Sequence, residues 1–117
     1  MTTIFEKVVA ALNSINPSVP YAFNQYLIAD GSDFPDQFLV YTLISDAPQQ
    51  HADNGETIRS YRIQVTTFSR SGLVSIPDVD TAMLNAGFVR SSRRTMPYDE
   101  MTRHFGLAAD YIYYLEV

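Results

Sequence analysis

The stretch from Thr57 to Phe68 (Thr-Ile-Arg-Ser-Tyr-Arg-Ile-Gln-Val-Thr-Thr-Phe) has the fewest structural options of any part of this chain. β-Branched and aromatic residues crowd it, and it has neither glycine nor proline. Such residues lose rotamer freedom in a helix and pack well on a pleated surface. The two-residue period of a strand puts Tyr61, Ile63, Val65 and Thr67 on one face and Arg62, Gln64, Thr66 and Phe68 on the other. The pattern predicts a half-buried antiparallel strand, apolar inward and polar outward. Turn chemistry flanks it on both sides, with Asn54-Gly55 before and Ser69-Arg70-Ser71-Gly72 after, which places it centrally in a small sheet.

The rest of the chain supplies partners for that strand. Thr3 and Glu6 form a capping box ahead of an apolar stripe of Ile4, Phe5, Val8, Val9, Leu12 and Ile15, so a core-packing helix is expected, closed by Asn16-Pro17. Tyr21 to Ile28 reads as an edge strand. Asp30 to Asp36 is dense in turn formers. Phe38 to Ile44 is apolar on both faces, so a helix should cover one face and a second layer or a neighbouring subunit the other. Asp46 to Glu56 is the most hydrophilic segment and reads as a long polar hairpin loop, a place where binding function concentrates. Ser75-Ile76-Pro77-Asp78 signals the start of a second helix, with Ile76, Val79, Ala82, Met83 and Ala86 on its buried side and Gly87 as its stop. A final hairpin follows: a strand from Phe88 to Thr95, a turn from Met96 to Thr102, and a long strand from Arg103 to Glu116. Runs of strands without βαβ alternation predict an α+β fold, a mainly antiparallel sheet packed against two helices, in a single domain spanning residues 1–117.

Composition narrows the function classes. With 8 Lys and Arg against 13 Asp and Glu, the formal charge of −5 disfavours non-specific binding to nucleic acid or acidic membranes. The absence of cysteine removes disulfides and thiolate metal sites. The first residues, Met-Thr-Thr-Ile-Phe-Glu-Lys, lack the order of a signal peptide, and the longest apolar run is too short to cross a bilayer, so a soluble intracellular protein is expected. Eight tyrosines, several on predicted strands, suit either the margin of a sheet or a subunit interface.

Motifs that carry chemistry are missing. No nucleophile elbow, phosphate-binding loop or dinucleotide fingerprint is present, and the chain is not expected to be an enzyme or to hold a cofactor. His51 lies near Asp53 and Glu56, but a zinc site wants three or four convergent ligands, so a solvated histidine is the better reading. Asp30, Asp33 and Asp36 resemble the start of a calcium loop, but Phe34 and Tyr41 stand where that pattern needs oxygen ligands. Two segments remain as candidate interaction sites: the loop bearing His51, Asp53, Asn54 and Glu56, and a basic cluster of Arg90, Arg93, Arg94 and Arg103. Strand parity pairs Arg90 with Arg94, and Arg93 and Arg103 could face each other across the last hairpin. A solvated face, an electrostatic subunit contact and contact with passing DNA all fit such a cluster.

Several landmarks occur together: an Asn16-Pro17-Ser18-Val19-Pro20-Tyr21 segment; a Tyr61-Arg62-Ile63-Gln64-Val65 strand running to Phe68-Ser69-Arg70-Ser71; Ala86-Gly87-Phe88; and Tyr98-Asp99-Glu100 before a tyrosine-rich last strand. In this order the chain resembles the small tail-completion proteins of long-tailed bacteriophages and prophages, also called tail terminators, tail-to-head joining proteins or minor tail proteins. The resemblance covers most of the chain, in layout more than in any diagnostic motif. It implies an α+β protomer that assembles into a hexameric ring, caps the tail tube and offers a surface to the head-tail connector. It also implies a place in the virion, with the host cytoplasm as the site of assembly, and no active site. Another phage neck protein, or a soluble small-ligand binding module with a pocket between helix and sheet, is the alternative.

Overall fold

The computed structural model describes residues 3–16, 18–52 and 55–116, and at 48–52, 56–57 and 116 the backbone alone. Pro17, Asp53 and Asn54 lie outside the described residues. The elements are α1 (Ile4–Asn13), β1 (Tyr21–Phe23), β2 (Gln37–Ala52), β3 (Gly55–Ser69), α2 (Val79–Asn85), β4 (Val89–Asp99) and β5 (His104–Glu116). The strands lie side by side in the order β1-β2-β3-β5-β4. The β1–β2 pair is parallel and the other three are antiparallel, so the fold is α+β with a mainly antiparallel sheet. β3, which contains the Thr57–Phe68 stretch, is the central strand.

Local chemistry sets the helix ends. In α1 the Thr3 hydroxyl accepts from the Glu6 N–H at 3.2 Å, as the capping pattern predicts. The helix stops at Asn13, earlier than Asn16-Pro17, because the Ser14 hydroxyl turns back to the Ala11 carbonyl at 2.6 Å. The cap of α2 is Asp78 and not Ser75: its carboxylate accepts from both the N–H and the hydroxyl of Thr81, at 3.1 and 2.7 Å. A carboxylate three residues ahead of that N–H reaches it with its own charge favoured by the helix dipole. Gly87, at φ +97°, closes the helix. The Phe88 and Gly87 N–H groups bond back to Met83 and Leu84 in a Schellman arrangement.

Both helices cover one face of the sheet. Val8, Leu12 and Ile4 of α1 and Val79, Ala82 and Met83 of α2 pack on Leu39 and Tyr41 of β2, Ile63 and Val65 of β3, and Ala109 and Tyr111 of β5. The inward face of β3 is therefore the one its alternation predicts.

The opposite face is not simply polar. Phe68 stacks on Phe38 at 4.8 Å, Tyr26 and Phe34 close over Phe38, and the buried His104 ring meets Phe38 edge-on at 4.9 Å. The segment between β1 and β2 supplies Tyr26 and Phe34, so the chain itself provides the second layer that Phe38 demands. That segment is not strand beyond Phe23: Asn24, at φ 63°, leaves extended geometry there and shortens the predicted Tyr21–Ile28 strand to three residues. Arg70 fixes the segment, with its guanidinium bonded to both oxygens of Asp33 at 2.8 and 3.0 Å and to the Thr102 carbonyl at 3.0 Å. This pairing, followed by the Phe34 N–H, holds the Asp33 carboxyl below its usual range. The aspartates that mimic a calcium loop thus include an arginine clamp.

The largest departure from the sequence reading is Asp46–Glu56, where residues 46–52 and 55–56 are strand and not loop. β2 runs on to Ala52 and β3 begins at Gly55, with backbone pairing at Ala47↔Ser60, Pro48↔Arg59, Gln50↔Ile58 and His51↔Glu56. A ladder is built from backbone groups and tolerates polar side chains where no core packs on them. The core ends at Leu43 on β2 and Tyr61 on β3, so beyond those residues hydrophilicity reports solvent rather than irregular backbone. The radius of gyration is 15.7 Å, against about 13 Å for a compact chain of this length, and the molecule measures 55 × 28 × 25 Å.

Candidate interaction surface

Two sheet margins stand out once the strands are placed. β1 pairs with β2 only at Leu39, Val40 and Tyr41, so from Thr42 to Ala52 the outer edge of β2 has no strand beside it among the described residues. β4 forms the opposite edge and is exposed at every residue from Val89 to Asp99. Unpaired edges present rows of N–H and C=O groups that can take another strand. Both edges carry irregularities that proteins place at margins: register shifts between Leu43 and Ser45 and between Arg90 and Ser92, and prolines at 48 and 97.

The hairpin between β2 and β3 forms the first part of the surface. Asp46, near its base, bonds Arg59 across the ladder at 2.8 Å. His51 pairs through its backbone with Glu56, while their side chains, and all of Asp53 and Asn54, are outside the description. In sequence, residues 42–58 hold Asp46, Asp53 and Glu56 and no Lys or Arg.

β4 forms the second part, and here the register overturns the parity reading. Arg90 pairs with Tyr111, Ser92 with Asp110, Arg93 with Ala109 and Arg94 with Ala108. The bulge at Ser91 inserts one residue and reverses the alternation. Arg90 and Arg93 therefore share the helix face, and Arg94 turns to the other. Arg103 is not opposite Arg93. It sits in the β4–β5 turn at φ 63°, bonded through its backbone to Asp99, roughly 20 Å along the strand from Arg93 at 3.4 Å per residue. The four arginines do not form one stripe.

Arg90 has a structural partner. Its guanidinium bonds Asp80 Oδ2 at 2.6 Å, while Asp80 Oδ1 accepts from the Tyr111 hydroxyl at 2.5 Å. Burial, then the bond to Asp80, pushes the Tyr111 phenol well above its ordinary value, so it remains a neutral donor. This chain of contacts ties α2 to β5 and to the edge strand. Arg93 lines a cleft of about 210 Å³ between the start of α2 and the sheet, floored by Val65, Ala109 and Tyr111. Arg93 and Arg94 have no ion-pair partner among the described residues.

Residues that sequence reasoning passed over hold the other face together. Asp110, buried on β5, accepts from Arg62 at 3.0 Å and from Gln64 at 3.2 Å. His104 bonds the Pro35 carbonyl through Nε2 at 2.8 Å, and its Nδ1 is buried without a hydrogen-bond partner among the described residues. An isolated Asp or His in an apolar strand was the available signal. Beside the aromatic layer a groove of about 310 Å³ opens, floored by Phe38, Phe68 and Val40 with Gln64 and Asn24 at its rim. Among the described residues no three His, Asp or Glu side chains converge as a metal site would require. No helix of the described residues is long and apolar enough to cross a membrane.

The chain matches no protein-family model, and comparison with curated protein sequences gives no match.

Proposed function

We propose that the protein is a structural component of a long-tailed phage or prophage particle that completes the tail tube and forms the tail side of the head-tail joint. It works as a closed ring of identical copies, six in number by the resemblance, with the tube protein and the head-tail connector as its axial partners. The observation that carries this reading is the sheet itself: an elongated protomer whose β2, β3 and β5 run on beyond the core, with two edges that have no strand beside them among the described residues. Such a protomer is suited to repeated lateral contact, and a head-to-tail contact that closes makes a ring. The split of the arginines between two faces argues for protein contact rather than for tracking a phosphate backbone.

Light scattering of the purified protein, alone and with purified tail tubes, tests the proposal. A ring in solution, or a monomer that binds only at tube ends, is expected. A monomer indifferent to tubes would remove the reading. A second reading, a small-ligand binding module, is favoured only by the aromatic-floored groove. It predicts a monomer whose melting temperature rises with a planar apolar ligand by mass action.

A further inference from the structure

We infer that the outer edge of β2 just past β1 takes an extended segment of a partner protein. The segment adds to the sheet as a short strand in line with β1 and sets one large apolar side chain into the pocket between Phe5, Phe23 and Tyr41. The inference goes beyond the ring reading and does not depend on it.

The backbone calls for a strand at one defined place. The Leu39 N–H donates to the Pro20 carbonyl and the Asn24 N–H to the Tyr41 carbonyl, both at 2.9 Å, so Leu39 and Tyr41 turn their backbone groups toward β1. Alternate residues of a strand present their N–H and C=O on the same side. Leu43 therefore turns its own the same way, past the end of β1, where no strand lies among the described residues. The bulge between Leu43 and Ser45 makes Asp46, opposite Tyr61, the next residue of that set, and Pro48, opposite Arg59, the one after. Proline has no N–H. The edge thus offers both groups at Leu43 and Asp46 and stops donating at Pro48, which suits a strand of about five residues.

The side chains call for an apolar residue at the same place. Phe23 lies opposite Tyr41 in the β1–β2 ladder. The rings of Phe5 and Tyr41 meet it at 5.2 and 5.3 Å, and the three line a pocket of about 270 Å³. Phe23 is left 45% exposed. A residue placed opposite Leu43 in line with β1 stands two positions past Phe23, about 7 Å along, with its side chain on the same face. The chain's own course leaves that place open. Asn24, at φ 63°, and the bond from the Gln25 N–H to the Phe23 carbonyl at 2.7 Å turn it aside, and Tyr26 packs on Phe38 on the opposite face of the sheet.

Together these features select the occupant. A small apolar molecule would fill the pocket but leave the groups of Leu43 and Asp46 to water. An extended backbone answers both: main-chain bonds supply affinity and the pocket supplies specificity, as a continuation of the ladder that β1 begins. The bulge and Pro48 shorten the edge, which disfavours edge-to-edge pairing with a second copy, whose outer strands run 16 and 11 residues. No charged side chain lines the pocket, and Asp46 on the same edge already bonds Arg59. The anchoring residue is therefore neutral, of leucine, methionine or phenylalanine type, because a charged one would lose its water without gaining a partner.

The isotopically labelled full chain, followed by NMR, tests this with a synthetic peptide, acetyl-Lys-Thr-Phe-Thr-Val-Thr-Lys-amide. In the free protein the Leu43 and Asp46 amides should exchange with solvent faster than those of Thr42 and Ala47, which face β3. The peptide should bind with a Kd on the order of 1 mM or tighter, shift the Leu43 and Asp46 amides and slow their exchange. Binding should weaken at least about tenfold when serine replaces the peptide's phenylalanine, and equally in Phe23→Ala, with a thermal melt to show that this variant is folded. Two further peptides carry N-methyl groups on one or the other alternate set of residues, and one of them should lose binding to the same degree. The absence of shifts at Leu43 and Asp46 overturns the inference. So does full binding by both methylated peptides, which would mean that the pocket alone is recognised, or full binding by Phe23→Ala. A dimer by light scattering whose Leu43 and Asp46 amides are already protected overturns it in favour of a second copy on this edge.

Discussion

Asp80→Ala should be far more damaging than the position of Asp80 in a short helix suggests. Asp80 accepts from the Tyr111 hydroxyl at 2.5 Å and from Arg90 at 2.6 Å, and Tyr111 is 1% exposed. Removing the carboxylate strands a buried phenol without an acceptor, which costs about 1–3 kcal/mol. The ion pair with Arg90, partly open to solvent, adds about 0–1 kcal/mol. The expected total is about 2.5 kcal/mol. For 117 residues the unfolding entropy is about 250 cal/mol/K, so Tm should fall by about 10 °C. Tyr111→Phe removes the donor together with the need for an acceptor, and should cost only about 1 kcal/mol. In that background Asp80→Ala should cost under about 1 kcal/mol, a coupling of about 1–2 kcal/mol. Urea unfolding followed by circular dichroism closes the cycle. If Asp80→Ala costs less than about 0.5 kcal/mol, or if the two effects simply add, the account of this contact is wrong.

Three further outcomes follow from particular residues. Burial raises the phenols of Tyr111 and Tyr41 above their ordinary value, so the folded state keeps protons that the unfolded state releases. Stability is then full below about pH 10 and falls above it, by up to about 1.4 kcal/mol per pH unit for each phenol; melts from about pH 9 to 11 should decline less steeply in Tyr111→Phe, and equal slopes would refute this. Gly87→Ala places a side chain at φ +97° with its Cβ 3.2 Å from the Tyr113 ring, and should cost at least about 1–2 kcal/mol by chemical denaturation, whereas a neutral result would mean the turn readily changes conformation. His104→Phe loses the bond to Pro35 but also the unpartnered Nδ1, so its stability should lie within about 1 kcal/mol of the natural chain, while His104→Ala, which opens the aromatic layer, should cost about 3 kcal/mol; similar values for the two would refute the opposing-terms argument.

Of the proposed surface, the sequence showed the ingredients without the arrangement. The acidic segment and the arginines were both visible as composition, as was the Asn54-Gly55 turn signal. That Arg90 and Arg93 share a face, with Arg94 opposite, depends on one inserted residue at Ser91. No local propensity marks such a bulge, because it exists only relative to the partner strand β5. Asp110 and His104 were equally hidden, since their partners Arg62, Gln64 and Pro35 are distant in sequence.

By itself the sequence determined the α+β class, the central place of β3 and its inward face, the cap of α1 and the glycine stop of α2. Each rests on short-range chemistry: side-chain period, a capping hydroxyl, a positive φ angle. Tertiary structure alone decided that residues 46–52 and 55–56 are strand, that the segment after Phe23 is a second layer, and which edges have no strand beside them among the described residues. A polar strand and a polar loop look alike in sequence. They differ only in whether their backbone groups pair with each other or with water, and that depends on the neighbouring strand.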